Sequence, residues 1–581
     1  MVKRILATTA LEETWGTGEP ILFLGVWCQK YTRRDQWQHR DVETLGYHWD
    51  DREKLARDYD RLTKVYERFL PVLAARLNEI HDVSYSVKYW RILVGPWLGY
   101  FIHILFDRFE SVRIALEEYR ISASLVKING DHLIPYDMLQ FSKVSTDDLW
   151  NHEIFCHVLQ YLAPVICQPI AILESQLERP IAGFNIRSRL GDLASKIASL
   201  FVRRKDAYLV TTYLPLVDEI LIQLKLGQFP QIGRRIVPPH VDADLTARKW
   251  GLADIGASKF ETLLLRLIPL QLPTLYLEGY KQLTEKVGKQ NKPDFPNFIW
   301  TSNSHFTDDV FKAWTAKKIE EGVPLIIGQH GGAYGMSAFS YIEDHEKKIS
   351  DLYLSWGWTD GSFKSIIPVG QLKRRRSLGV DHAKNELGLL ITTTVSRYGS
   401  WIYSATIAGQ WVNYFEEQCI FIEALPLTIR EKFVVRLFRN DYGWDQIERW
   451  RDRLPDQIFD YGIEDINQRL KKSKLVVATY NATSYLESFT INIPTVMYWN
   501  EKHWELRDSA LPHFEDLKEV GIFHESPESA ANHVARIWDD VDGWWQSEEV
   551  IRVVTQFRHH YCAVATLSKL SSVLKKVNND N

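Results

Sequence analysis

The chain has 581 residues, of which 45% are hydrophobic and 25% charged, with a formal net charge of −4. That length points to about two to four domains, and the ordinary apolar and charged fractions exclude intrinsic disorder over most of it. The 70 basic residues stand against 74 acidic ones, so there is no cationic excess of the kind a dedicated nucleic-acid binder carries. Five scattered cysteines, with no CxxC pair, read as reduced thiols rather than a disulfide or metal framework. The 21 tryptophans are unusual.

Lys3 and Arg4 are followed by only a short apolar run and then Glu12 and Glu13, which is not a secretory signal. The longest apolar run, 92–106, is shorter than the ~20 residues of a bilayer span. The expectation is a soluble cytoplasmic protein, with room for peripheral contact at the inner membrane face.

In chain order, apolar runs at 4–8 and 21–27 fit buried parallel strands. From 51 to about 118 the pattern becomes helical, with an aromatic-rich block at 84–118, and further helices are expected at 146–163, 187–205 and 216–226. Residues 297–330 read as strand, polar turn, helix and strand. Thr307 is the expected N-cap, Asp308 and Asp309 lie in the first turn, and Gly322 and Pro324 stop the helix. A parallel pair joined this way puts its loops at the strands' carboxyl ends, where open α/β sheets bind ligands. A second series has strands at 387–391, 432–438, 474–478 and 495–499, helices at 446–452, 464–472 and 484–491, and one long helix at 546–578. The segment 358–384, with its basic run from Lys373 to Arg376, reads as a solvated boundary. The expected fold is α/β: two tandem Rossmann-like domains over 1–370 and 371–545, a large helical elaboration in the first, and a terminal helix over 546–581.

Three constellations could carry chemistry. In 328–335, GQHGGAYG, His330 follows a buried strand on a glycine-rich turn, where backbone can approach a ligand and the imidazole can act as a base or hold phosphate. A hydrogen-bonded structural histidine fits the same pattern. Next, Glu343, Asp344 and Glu346 surround His345, as a source of a base or nucleophile or as the solvated end of a helix. Last, 478–488 leads from a strand into a hydroxyl-rich helix start, where free N–H groups suit a phosphate, with Thr483 and Ser484 as donors and Glu487 on ribose hydroxyls. Ser484 and Glu487 also have capping-box spacing. Arg436 and Arg439 flank the neighbouring strand as candidate phosphate ligands. There is no Walker loop, GxGxxG fingerprint, HExxH motif or GxSxG elbow. Of the aromatics, Phe298, Trp300, Tyr498 and Trp499 are expected in the core, and Trp90, Trp97, Trp356 and Trp358 at a cleft.

The QHGGAYG loop, the EDHE…ISDLYLSWGW stretch and TYNATSYLES…NIPTVMYWN resemble a bacterial family of transferases noted in leptospiral O-antigen loci, over nearly the whole chain. The C-terminal half is more distantly similar to GT-B glycosyltransferases of surface polysaccharide assembly, including Kdo and sialic-acid-type capsule transferases and teichoic-acid glycerophosphate polymerases. The resemblance implies a metal-independent GT-B enzyme without a cofactor. It would move a sugar from a nucleotide-activated donor, such as a CMP-linked ulosonic acid, to a surface-glycan or lipid-linked acceptor. It further implies that Thr483, Ser484 and Glu487 sit on the nucleotide, Arg436 and Arg439 on its phosphate and His330 on the cleft face of the first domain; Asn481, Gln329 and Gly331 are further candidate substrate-binding residues. His330, Glu343 or Glu346 would serve catalysis. Arg436 and Arg439 replace the His-Pro motif of the capsule enzymes. A GT-B nucleotide-sugar epimerase and a non-catalytic carbohydrate-binding protein are the alternatives.

Overall fold

The structure, a computed structural model, describes residues 2–127, 133–171, 202–231, 235–253, 255–288, 292–373 and 385–579. Three all-parallel sheets carry the fold. The first contains β1 (Lys3–Ala7), β2 (Ile21–Phe23), β3 (Val42–Thr44), β4 (Arg120–Lys127) and β5 (Cys167–Ile170), in the order β3-β2-β1-β4-β5. The second contains β6 (Tyr208–Val210), β7 (Ile299–Thr301), β8 (Leu325–Gly328), β9 (Leu352–Ser355) and β10 (Ile366–Pro368), paired consecutively. The third contains β11 (Gly388–Ile391), β12 (Phe433–Arg436), β13 (Ile458–Asp460), β14 (Leu475–Ala478), β15 (Thr495–Tyr498) and β16 (Phe523–His524), in the order β13-β12-β11-β14-β15-β16. β1, β8, β11, β14 and β15 are near-continuous apolar runs, and all but Lys3 in them are buried. That pattern fits parallel strands covered on both faces.

The second and third sheets lie in the two stretches read as tandem Rossmann-like units, but the strands expected at 4–8 and 21–27 pair in the separate first sheet, so residues 1–370 hold two parallel sheets rather than one. The amino-terminal elaboration is helical as expected, and it also holds the first sheet. Its long helices start on side-chain caps: Asp51 accepts from the Lys54 N–H ahead of Arg52–His81, and Ser86 from the Tyr89 N–H ahead of Val87–Leu93. The following helix, Gly95–Glu118, is buried over most of its length. At Gly99 a Cβ would stand 1.9 Å from the Tyr341 hydroxyl, so glycine admits the Tyr341 ring, whose hydroxyl donates to the Gly95 carbonyl at 2.8 Å. This contact seats the helix Tyr341–Ile349 against the amino-terminal helices. Among the described residues no single helix is long and apolar enough to cross a membrane.

Several boundaries differ from the sequence reading. Asp308, not Thr307, caps the helix Asp309–Glu320, because the polar turn before it winds into the short helix Ser304–Thr307. The terminal helix is two, Glu548–Tyr561 and Leu567–Asn579, since the intervening chain leaves the helix to bridge Val564 with Gln371. The segment 358–384 contains strand β10, so it is not linker throughout. The helix expected at 187–205 falls outside the described residues up to 201, and residues 202–205 are not helical.

Candidate functional site

The loop after β8 is held from behind by Gln329. Its Oε1 accepts from the Trp356 backbone N–H at 2.9 Å and the Trp358 indole at 2.8 Å, while its Nε2 donates to the Gly331 carbonyl at 2.8 Å. With every polar atom so engaged and no exposed surface, Gln329 shapes the loop rather than facing a substrate. Gly331 packs on the Tyr334 ring. The loop's far end is fixed by the Gly335 N–H donating to Glu343 at 2.9 Å. Glu343 also pairs with Lys347 at 3.2 Å and with Arg507, from the carboxyl-terminal unit, at 3.0 Å. Two cations and an N–H saturate this buried carboxylate, which makes it a tie between the units rather than a base.

Glu346 is different. It is fully buried, one turn further along the same helix, with Oε1 3.1 Å from His305 Nε2 and 3.4 Å from His330 Nδ1. The Tyr353 hydroxyl donates to its Oε2 at 3.1 Å and the Tyr334 hydroxyl to its Oε1 at 3.3 Å. Burial dominates and pushes this carboxyl up to about 7, against the pull of His330 and the two tyrosines. Burial likewise lowers His330, with His305 and Lys373 acting in the same direction and Glu346 opposing. His305, wholly enclosed, is lowered to about 3. His330 alone of the three keeps a fifth of its side chain exposed. The arrangement is a buried carboxyl flanked by two imidazoles, one opening toward solvent, with proton affinities brought together by burial.

The helix Thr483–Thr490 follows β14. Its N-cap is Ala482, and no side chain caps it, so the capping box readable from Ser484 and Glu487 does not form. The first N–H groups of the helix therefore lack a side-chain acceptor. A Cβ at Gly332 would lie 2.5 Å from the Thr483 nitrogen and 2.4 Å from the Ala482 carbonyl carbon, so only glycine lets the His330 loop rest on this helix start. Beside it opens a cavity of about 500 Å³, lined by the carboxyl ends of β11 and β12 and by Lys373, Arg439, Tyr480, Thr483, Ser484 and Glu487 among others. It lies where the third sheet's winding reverses, between β11 and β14, the usual ligand crevice of such sheets. A larger open depression of about 700 Å³ lies beside β16 and includes none of the residues singled out from the sequence.

The structure thus gathers Arg436, Arg439, Thr483, Ser484 and Glu487 around one cavity. Arg436 is already committed, to Asp460 at 2.6 Å and the Glu464 carbonyl at 2.7 Å, and Arg439 binds the carbonyls of Gly462 and Ile463. Asn481 is turned inward, accepting from the Tyr485 hydroxyl at 2.9 Å. Two residues escaped the sequence reading. Lys373, taken as solvated linker, stands 3.7 Å from Glu487 and over the Tyr213 ring, which in turn stacks on His330. Arg374, Arg375 and Arg376 lie outside the described residues. His305 sat in a stretch read only as a polar turn, although its place at the carboxyl end of β7 was the same signal that singled out His330. Trp90, Trp97, Trp356 and Trp358 are buried, not cleft-facing, because each fills space between helices or behind the loop. Among the described residues no group of three or more His, Cys, Asp or Glu is placed to hold a metal ion.

A family model for the LIC12162 family transferases matches residues 4–572. The chain belongs to that family. Comparison with curated protein sequences finds no significant match. Among solved structures, the chain is similar to the Staphylococcus aureus MnaA–UDP complex (11% identity, TM-score 0.35, covering 65% of this chain and 96% of that one). It is also similar to Acinetobacter baumannii MurG (11%, 0.31, 64% and 99%) and to a variant of the wall teichoic acid polymerase TagF (10%, 0.32, 68% and 98%). Membership of the family makes the protein a transferase. The site above is what has to account for a transfer.

Proposed function

We propose that this transferase moves a glycosyl group from a nucleotide-activated donor to an acceptor hydroxyl. One observation carries the reading: the uncapped start of the helix Thr483–Thr490 opens on a charged cavity, lined by Lys373, Arg436 and Arg439 as well as Glu464, Asp465 and Glu487, and has the His330 loop seated against it. Aligned N–H groups, Lys373 and the Arg439 side chain offer positive charge for a leaving phosphate, so the transition state is stabilised where the negative charge grows. Arg436, braced by Asp460, sets the wall of the cavity. Glu487 suits ribose hydroxyls. His330, backed by Glu346, takes the proton from the attacking hydroxyl, and the ionised Glu346 carboxylate offsets the positive charge the imidazole then carries.

The donor implied by resemblance, a CMP-linked ulosonic acid, would set its ring carboxylate toward Lys373 or Arg439. The acceptor would be a surface glycan or a lipid-linked saccharide, met in the cytoplasm or at the inner membrane face. The test is a thermal-shift panel of CMP, CDP, UDP, GDP and dTDP on the intact protein. Stabilisation by one of them is expected, lost when Thr483 and Ser484 are both replaced by alanine. No shift with any nucleotide overturns the reading. Turnover of a nucleotide sugar to its epimer without acceptor would replace transfer with epimerisation.

A further inference from the structure

A second cavity, of about 270 Å³, adjoins the first along the loop that follows β11: Thr392 lines one and Thr394 the other. Its walls come from both halves of the chain, with Tyr100 and Phe306 on one side and Trp401, Tyr403 and Tyr442 on the other. None of the residues lining it carries a charge. The rings form a continuous run, with Phe306 5.2 Å from Tyr100, Tyr100 4.4 Å from Trp401, and Trp401 5.5 Å from Tyr403 between centroids. Ser142, Ser145, Thr146 and Ser400 complete the lining; the first three donate their hydroxyl protons to the carbonyls of Leu139, Ser142 and Lys143, which leaves their oxygens as acceptors.

Three observations indicate that this space is built for a ligand. The Tyr100 hydroxyl, 1% exposed, lines the cavity and has no hydrogen-bond partner, which is costly unless something else supplies one. Ala408 and Tyr442, both lining residues, hold φ of +49° and +54°, a strained region for side chains that persists where surroundings enforce it. Glu346 lies close enough to act electrostatically on Tyr100, and Phe306 directly follows His305, so the cavity neighbours the carboxyl and the histidine that flank the proposed base His330.

We propose that this cavity is the acceptor's sugar subsite and that it takes an uncharged pyranose ring. This rests on the glycosyl-transfer reading. Half-buried aromatic faces bury the C–H faces of a pyranose, and a ring of hydroxyls pairs with its hydroxyl edge. A carboxylate-bearing ring would be desolvated here with no cation to meet it, which is strongly unfavourable. The acceptor hydroxyl would then lie between the base and the donor's anomeric carbon. There the new C–O bond forms as the bond to the nucleotide phosphate breaks, and the hydroxyl proton passes to His330.

The test uses saturation-transfer NMR on the full-length protein with methyl glycosides of glucose, galactose and mannose, and with N-acetylneuraminic acid as the charged probe. At least one neutral glycoside is expected to bind, and the charged sugar not. Trp401→Ala and Tyr100→Phe should each weaken that binding by about three- to tenfold. Trp401→Phe should restore most of it. The nucleotide thermal shift should persist in all three variants, which shows them folded. Absence of binding by every neutral glycoside, equal binding by the variants, or preference for the charged sugar overturns the subsite. If glycoside binding depends on Trp401 but no nucleotide shifts the wild type, the sugar subsite stands and the donor reading falls.

Discussion

Two cavities meet at the loop after β11, and they are opposites. One is rimmed by Lys373, Arg439, Glu464, Asp465 and Glu487, with a bare helix start at its edge. The other is lined by rings and hydroxyls with no charge at all. A fold that set out only to pack would not place these side by side, since charged and neutral aromatic walls solvate different things. The difference fits the division of labour proposed above for transfer, with an anionic leaving group on one side and a neutral sugar ring on the other. The buried carboxyl and its two histidines neighbour both: Phe306 of the neutral cavity directly follows His305, and Lys373 of the charged one stands over Tyr213, which stacks on His330.

That division breaks most sharply at the histidine. His330→Ala should lower turnover by about 10²- to 10⁴-fold while leaving both the nucleotide shift and glycoside binding in place, because proton transfer alone is removed. Turnover unchanged with affinities intact would exclude His330 as the base. Next in size is Lys373→Ala. It should weaken nucleotide binding roughly tenfold, the loss of one charge-assisted contact, and flatten the dependence of that binding on salt. Glycoside binding, measured by the same NMR experiment, should not change. A loss in both would mean that the two cavities are one site.

A smaller effect concerns pH. Glu346 holds its proton up to about 7, and His330 loses its own below the ordinary histidine value. Turnover should therefore rise as pH rises through about 7, where Glu346 ionises and can support an imidazolium. Glu346→Gln removes that step and also the negative charge that helps His330 keep a proton. The acid limb should move to lower pH and the plateau should fall. An unchanged limb in the variant would detach Glu346 from the rate. The same raised carboxyl has a sign for stability: ionising Glu346 is harder in the fold than in the unfolded chain. Its stabilising share is complete below the unfolded value and is lost as pH rises through about 7.

The sequence was most readable where local chemistry decides structure. The strand–turn–helix units around 297–330 and 474–499 were legible because apolar runs, stop signals and loop polarity are local. His330, Thr483, Ser484 and Glu487 stand out as candidates from their place at strand ends, and the structure sets the last three around one cavity. What could not be read is what distant packing decides. Glu343 and Glu346 sit one turn apart with equal prospects in sequence. Only the approach of Arg507 and Lys347 to one, and of His305, His330 and two tyrosines to the other, separates a tie from an acid. The tryptophans mislead for the same reason: Trp97 and Trp401 look alike until the first is found enclosed by helices and the second lines a cavity. Lys373 was masked by its basic neighbours, since a charge run ordinarily means a solvated segment.

The smallest test bears on the helix start itself. A serine at 482 would occupy the N-cap of the helix Thr483–Thr490 with backbone angles, φ −153° and ψ −155°, that are extended as a cap requires. If those N–H groups are idle, Ala482→Ser simply gains up to about 1 kcal/mol of stability, by the usual worth of a cap. If they hold a phosphate, the new hydroxyl competes for them, and nucleotide binding weakens a few-fold even as the protein without nucleotide melts later. The two quantities then move in opposite directions in one protein, read from one pair of melting curves with and without nucleotide. Binding unchanged alongside a gain in stability would move the phosphate off the helix and onto Lys373 and Arg439 alone, leaving the charged cavity charged but differently used.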